Sequence, residues 1–190
     1  MDLIENPVLS STPNRRELLR AGAIGAAVIG LGGIAPLAQA FEIPTTAGNE
    51  KEFRTRLMAL GGLSLKSAQM GQQKATNPAL KQFANFEADE QTQIAKVLME
   101  LKTPMLPMDK DAVEIVRQHE STEGAEFDKV FARSQLQVHR MLLALGESFL
   151  AQTKGKGAAE IHARHLAMVS GASIREHIAH TSAFVDALNA

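Results

Sequence analysis

The sequence predicts an all-α protein, an antiparallel four-helix bundle preceded by a signal peptide. Apolar residues return every three or four positions along several long segments, which is the spacing of amphipathic helices. The chain also lacks the alternation of apolar and polar residues that marks a half-buried strand. Aromatic residues make up 4% of the chain and hydrophobic residues 45%, so aliphatic side chains and methionine must form the core, which suits packed helices. The short connections predict antiparallel neighbours.

The first 40 residues resemble a twin-arginine signal peptide. Arg15 and Arg16 form a basic pair, residues 21–35 follow as a weakly apolar run, and small residues before position 41 permit cleavage after Ala40. Retention of the segment as a membrane anchor is the alternative, but the run is shorter than the ~20 residues that a span needs. We therefore expect export to the periplasm, with membrane contact only through the signal peptide before cleavage.

After the signal peptide we expect one domain, with residues 41–50 as an extended lead-in and residues 51–190 as the bundle. The formal net charge is −1, which argues against nucleic acid as a partner because nucleic-acid-binding domains carry a basic surface. The sequence contains no cysteine. That absence excludes disulfides, thiolate nucleophiles and iron–sulfur clusters.

The first two helices are predicted from their apolar stripes and from a start signal. The first is expected over residues 51–75, and small residues in its second half allow a neighbour to approach closely. Asn77 and Pro78 begin the second helix, because asparagine caps free amide groups and proline fits the first helical position. The inner positions are Phe53, Leu57, Leu60, Ser64, Ala68 and Gly71 on the first helix, and Leu80, Phe83, Ala84, Glu87, Gln91, Ile94 and Leu98 on the second.

The second half of the chain contains the clearest amphipathic segment, residues 124–151. A short helical piece over residues 111–120 precedes it, and a last helix over residues 158–188 is expected to bend near Ser170 and Gly171. The inner positions of the central helix are Phe127, Phe131, Ser134, Val138, Leu142, Leu145 and Phe149. Those of the last helix are Ile161, His165, Met168, Ala172, Ile174, Ile178, Thr181, Val185 and Leu188.

Three motifs occur in order along the chain: residues 77–84 (NPALKQFA), then Phe127-Asp128 with residues 135–139 (QLQVH), then residues 175–178 (REHI). Together they resemble the ferritin-like "domain of unknown function 4142" family of exported bacterial proteins. The resemblance extends over residues 52–188. It implies a four-helix bundle in the periplasm or outer envelope, with no established activity.

The sequence departs from this family at two places that bear on metal binding. Many relatives have Glu-Ile-Glu on the first helix, where this chain has Ser64-Leu65-Lys66. The usual Asp-His pair of the second helix falls on Glu90-Gln91. Carboxylate-bridged di-iron bundles use a Glu from each of two helices and a Glu-x-x-His from each of the other two. This chain contains no Glu-x-x-His, so we do not expect a di-iron centre.

Four side chains remain as candidate metal ligands: Glu87, Glu90, His139 and His177. Folded into a bundle, they can converge on one mononuclear transition-metal ion through imidazole nitrogens and carboxylate oxygens. The alternative is a buried hydrogen-bonded network, in which a histidine paired with a carboxylate satisfies both groups. A separation of more than about 8 Å among the side chains of Glu87, His139 and His177 would exclude a shared ion.

Other chemistry-bearing residues predict less specific roles. The pairs His162/His165 and His177/His180 have the spacing that places both rings on one face of a helix. Because His162 and His180 fall away from their local stripes, we interpret these pairs as solvated. The scattered methionines are interpreted as gap-fillers in the core rather than a copper site. The sequence has no phosphate-binding loop, nucleophile elbow or His-Glu-x-x-His motif.

Two functional hypotheses follow from the sequence. The first is a non-enzymatic envelope protein, without a cofactor, that binds an unknown envelope protein or small ligand or acts in stress protection. The second is a ferritin-like metal-binding or redox protein with a mononuclear site. Twin-arginine export carries folded cargo, often with its cofactor inserted, which favours the second hypothesis slightly.

Overall fold

The computed structural model describes residues 43–189, which form five α-helices and no β-strand. The helices are α1 (Glu50–Lys74), α2 (Pro78–Glu100), α3 (Lys110–Ser121), α4 (Gly124–Gln152) and α5 (Ala158–Asn189). The all-α prediction is confirmed. The predicted signal motif at Arg15 and Arg16 and the cleavage position after Ala40 lie outside the described residues. Between residues 43 and 189, no helix combines the length and apolarity required to cross a membrane.

The helix starts follow from capping side chains. Asn49 accepts a hydrogen bond from the Glu52 amide at the start of α1. The Asn77 side chain accepts from two amides of α2, with Pro78 at the first helical position as predicted. Asp109 caps α3 in the same manner. Each cap satisfies amide groups that have no partner within their own helix.

The helices pack in a defined order, with α1 against α2 and α4, and α4 against α5. The short α3 packs against α1 and α4. Every inner position predicted for the first, second and central helices is buried. Phe53 and Phe149 stack at a ring-centre distance of 4.4 Å and join α1 to the end of α4. The apolar stripes of these three helices therefore face the interior, as the sequence predicts.

The prediction for the first half of the last helix is wrong. Ile161, His165, Met168 and Ala172 are exposed, and the buried face consists instead of Ala163, Ala167, Ser170 and Gly171. Beyond them Ile174 is buried, as predicted. Small side chains let α5 approach α4 closely, so this register of α5 excludes the larger residues from the interface. α5 runs without interruption from Ala158 to Asn189, so the bend expected near Ser170 and Gly171 does not divide the helix.

The interpretation of the methionines as gap-fillers is wrong for Met99, near the end of α2, and for Met105 and Met108, in the connection between α2 and α3. Met99, Met105 and Met108 are 51%, 74% and 42% exposed. The connection between the two helices runs over the surface and contains two prolines, so its side chains have no core to enter. Among the methionines of the described residues, Met58 is buried.

Candidate metal centre

Side chains from four helices meet at one buried point. Ser64 comes from α1, Glu87 from α2, His139 from α4 and His177 from α5. The side chains of Glu87 and His139 are 0% exposed and that of His177 is 12% exposed. His139 is completely buried because α5 packs against α4.

Three ligand atoms form a compact triangle at this point. Glu87 Oε2 lies 2.8 Å from His177 Nδ1 and 3.1 Å from His139 Nε2. The two ring nitrogens are 3.1 Å apart. The three side chains therefore pass the distance criterion for a shared ion. Ligand atoms of a tetrahedral ion with bonds of about 2.0–2.1 Å stand roughly 3.3–3.4 Å apart, so the sides of the triangle would lengthen by about 0.2–0.6 Å on binding.

The outer nitrogen of each histidine also has a partner. His139 Nδ1 donates to the Gln135 carbonyl oxygen at 2.7 Å, and a carbonyl can only accept. In the neutral ring, His139 Nε2 therefore carries a lone pair that is directed into the triangle. His177 Nε2 faces Glu90 Oε2 at 3.6 Å, and Glu90 accepts a hydrogen bond from Ser173. Such outer partners orient metal-binding imidazoles in proteins.

Ser64 contacts the second oxygen of Glu87, and Gln135 contacts Ser64. Ser64 Oγ lies 2.6 Å from Glu87 Oε1 and 2.7 Å from Gln135 Oε1. One hydroxyl proton can be donated to only one of these acceptors at a time. Gln135 Nε2 donates to the Ser64 carbonyl oxygen at 3.2 Å, which fixes the orientation of the amide. At this point α1 contributes a hydroxyl group, where a dinuclear centre would need a carboxylate.

The pKa values describe an anionic site surrounded by histidines. Burial raises the pKa of the Glu87 carboxyl, but when the His139 ring is protonated its charge and hydrogen bond, together with hydrogen bonds from His177 and Ser64, lower it by more. The net result is a pKa well below the usual range. Burial lowers the pKa of His177, whereas the hydrogen bond to Glu87 and the charges of Glu87 and Glu90 raise it above its ordinary value. A buried carboxylate of this kind attracts a cation.

Protons alone cannot satisfy all three contacts of the triangle. If only one ring donates to Glu87 Oε2, the lone pair of the other ring faces the carboxylate. If His139 Nε2 and His177 Nδ1 both carry protons, their two N–H groups face each other at 3.1 Å. A metal ion accepts all three lone pairs at once, and histidine nitrogens with a carboxylate oxygen are the donor set of many transition-metal sites. The residues fit such an ion.

An aromatic side chain covers the site. The Phe83 ring centre lies 5.3 Å from that of His177 and 6.1 Å from that of His139, edge to face in both cases. Phe83 also contacts Phe184 at 6.1 Å. These rings form part of a second apolar cluster with Phe127 and Phe131, so the triangle lies beside a dry region in which electrostatic interactions are strong.

The remaining predicted residues lie elsewhere. Glu90, predicted as a ligand, lies at the outer nitrogen of His177 rather than in the triangle. His162 and His165 are exposed and line an open groove of about 560 Å³ between α2 and α5. His180 is exposed beside Glu176, so the pair His177/His180 is divided between the site and solvent.

Sequence reasoning missed a second buried histidine, His119 on α3. Its Nδ1 donates to the Ile115 carbonyl oxygen at 2.7 Å, and its Nε2 lies 2.9 Å from Ser134 Oγ. Burial lowers the pKa of His119 to about 4, an effect that the hydrogen bond to Ile115 opposes and the charge of Lys74 reinforces. The spacing of Ala112, Ile115 and His119 follows one helical face and could have identified it.

Comparison with known proteins places the chain in a family but assigns no chemistry. The search of curated proteins and the search of solved structures each found no significant match. The model of a family described as "Domain of unknown function (DUF4142)" matches residues 35–173. That region includes Glu87, Glu90 and His139 and ends before His177. Because the match spans more than half of the sequence, the chain belongs to the DUF4142 family.

Proposed function

We propose that this protein is an exported, ferritin-like four-helix bundle that binds one divalent transition-metal ion through Glu87, His139 and His177. The observation that carries the proposal is the buried triangle of Glu87 Oε2, His139 Nε2 and His177 Nδ1, with sides of 2.8–3.1 Å. Two imidazoles and one carboxylate suit ions such as zinc or iron. Calcium and magnesium prefer ligand sets made of oxygen alone.

The surroundings support a mononuclear site. Ser64 supplies a hydroxyl at the second oxygen of Glu87, and Glu90 faces the outer nitrogen of His177. Neither side chain is placed to bridge two ions. Three protein ligands leave a coordination position for water or another small molecule, as in metal sites that carry out chemistry. This ligand count favours a metal-binding or redox role over a purely structural one.

Export to the periplasm is part of the proposal and is supported by the sequence. The pair Arg15-Arg16, the apolar run over residues 21–35 and the small residues before position 41 occur in the order of a twin-arginine signal. That route carries folded proteins, so an ion can be inserted in the cytoplasm before export.

Metal content and binding stoichiometry test the proposal. Elemental analysis of the purified protein after growth in metal-replete medium, and calorimetric titration with Zn²⁺, are expected to give one ion per chain. Glu87→Gln and His177→Ala remove a ligand each and should abolish this binding. A double variant with His162→Ala and His165→Ala is the matched control, because it removes two exposed imidazoles away from the site. It should still bind one ion.

Two results contradict the proposal. Less than about 0.1 ion per chain, with no Zn²⁺ uptake in the titration, would leave the buried groups as a hydrogen-bonded network. Loss of binding in the control variant, with binding retained in Glu87→Gln, would assign the ion to the surface histidines. A Co²⁺ spectrum that changes in His177→Ala but not in the control adds independent support, since the visible bands of Co²⁺ depend on its ligands.

A further inference from the structure

The two halves of α5 are attached to the rest of the protein in different ways. The first half, residues 158–176, carries all but one of the buried residues of α5. Arg164 adds hydrogen bonds to the Leu150 and Thr153 carbonyl oxygens at the end of α4. In the second half, residues 177–189, Thr181 alone is buried. The apolar residues of that half are only partly covered, namely Ile178, Phe184, Val185 and Leu188.

This second half begins at the point where α5 meets α2. Within the described residues, α2 and α5 do not pack along their lengths and meet through side chains around the site. His177 contacts Glu87 and Glu90, and Phe83 contacts His177 and Phe184. Towards the start of α5 the two helices separate into the open groove of about 560 Å³.

Residues 177–189 also cover the side of the centre that is nearest to solvent. Glu87 and His139 are 0% exposed, whereas the side chain of His177 is 12% exposed. Movement of this segment would carry one ligand away and uncover the other two. Segments with few buried apolar contacts open at a lower free energy than the core does, so this opening requires no unfolding of α1, α2 or α4.

We infer that residues 177–189 of α5 are the gate of the metal centre: an ion enters and leaves when this segment opens, and a bound ion holds it closed. The inference rests on the proposed function, because the ion must bind at Glu87, His139 and His177. The ion binds the closed form and loses a ligand when the segment opens. Opening is therefore suppressed by a factor of up to 1 + [L]/Kd, about 100-fold at a ligand concentration of 100 Kd, because the open form keeps only two of the three ligands and binds the ion far more weakly.

Hydrogen exchange with and without Zn²⁺ tests the gate. We would use the protein with His162→Ala and His165→Ala, so that exposed histidines add no binding. Saturating Zn²⁺ is expected to slow amide exchange in residues 177–189 by about 100-fold and to leave the exposed turns elsewhere unchanged. Zn²⁺ that binds at one ion per chain without slowing exchange in this segment overturns the gate but not the metal site. Absence of Zn²⁺ binding overturns both.

The rate of metal release provides a second test. Phe184→Ala removes a partly buried ring that packs on Phe83, and transfer of Zn²⁺ to a chelator should accelerate by roughly tenfold, because opening becomes easier. Val169→Ala is the matched control, since Val169 is 74% exposed in the first half of α5. This variant should release Zn²⁺ at the same rate as the parent protein. Equal release rates in both variants and the parent would contradict the gate.

Discussion

The two fully buried histidines, His119 and His139, are held in the same way on one side. The Nδ1 atom of each ring donates to the carbonyl oxygen four residues earlier in its helix, Ile115 for His119 and Gln135 for His139, at 2.7 Å in both cases. This bond uses the one proton of a neutral imidazole, so Nε2 is left as an acceptor. Two helices thus present the same chemical group to the interior.

What lies opposite Nε2 differs. His119 Nε2 faces the hydroxyl of Ser134, which can donate a proton and complete a neutral hydrogen bond. His139 Nε2 faces Glu87 Oε2 and His177 Nδ1, and the carboxylate has no proton to donate. The comparison teaches that a buried histidine becomes a candidate ligand when its free nitrogen meets other lone pairs, and remains structural when it meets a donor.

The largest difference between the sites of His139 and His119 is expected in Zn²⁺ affinity when the carboxylate of Glu87 is removed. Glu87→Ala should weaken Zn²⁺ binding by several hundredfold, because the roughly 10–16 kcal/mol of a structural zinc site, shared among about four ligands, is about 2.5–4 kcal/mol for each. Ser134→Ala removes the partner of His119 and should leave the Zn²⁺ affinity unchanged. Competition with a chromophoric chelator measures both constants. Equal weakening in the two variants would mean that the effect comes from general destabilisation.

Most of the fold could be predicted from apolar spacing, and the failure in α5 has a physical cause. Spacing identifies the side of a helix that carries large apolar residues, which is correct for α4, where Phe127 and Phe149 are buried. On α5 the contact with α4 is formed by Ala163 and Ala167, which allow a close approach. A count of large apolar residues favours Ile161 instead, because the sequence does not show the distance between two helices.

The candidate site was predicted in its central residues and not in its surroundings. Glu87, His139 and His177 could be identified because a titratable side chain on an apolar stripe must find a polar partner or an ion once it is buried. Glu90 could not be distinguished from Glu87 as a ligand, since the two lie three residues apart and helical spacing does not give the depth of each. Gln135 was missed because it is not among the positions of the apolar stripe on the central helix, and a glutamine outside a stripe resembles an ordinary surface residue.

The next largest effect concerns the pH dependence of stability at His119. Burial lowers the pKa of His119 to about 4 in the folded protein, whereas an unfolded histidine titrates near 6.5. Between these values the unfolded state binds more protons, so stability is complete above pH 6.5 and falls as the pH decreases to 4. The difference of about 2.5 pKa units corresponds to about 3 kcal/mol of unfolding free energy.

Urea unfolding of metal-free protein at pH 7, 6, 5 and 4 measures this slope. His119→Gln retains a polar side chain on α3 but does not titrate. Between pH 7 and pH 4 the unfolding free energy of this variant should therefore fall by about 3 kcal/mol less than that of the parent protein. Lys74 must remain, because its ammonium group binds the His119 carbonyl oxygen and contributes to the lowered pKa. Parallel curves for the parent protein and His119→Gln would show that His119 does not cause the pH dependence.

A smaller effect should separate the two buried serines. Ser64→Ala leaves Glu87 Oε1 without its hydroxyl partner and should weaken Zn²⁺ binding by about tenfold, the lower end of the effects of outer partners in metal sites. Ser134→Ala leaves a buried nitrogen of His119 unpaired and should cost about 1–3 kcal/mol of stability. Chelator competition measures the Zn²⁺ affinity of both variants, and urea unfolding measures their stability. Reduced Zn²⁺ affinity in Ser134→Ala alone would contradict the assignment of the two sites.

The smallest effect is expected at Glu90, which faces the outer nitrogen of His177 at 3.6 Å and has a side chain that is 25% exposed. Glu90→Gln removes a charge that is partly screened by solvent, so Zn²⁺ affinity should fall by only about threefold. Glu176→Gln is the matched control, since Glu176 is an exposed carboxylate on α5 that faces His180. Titration of both variants under identical buffer conditions resolves a threefold difference. A loss in Glu90→Gln as large as that in Glu87→Ala would mean that Glu90 moves into the triangle and binds the ion directly, as the sequence suggested.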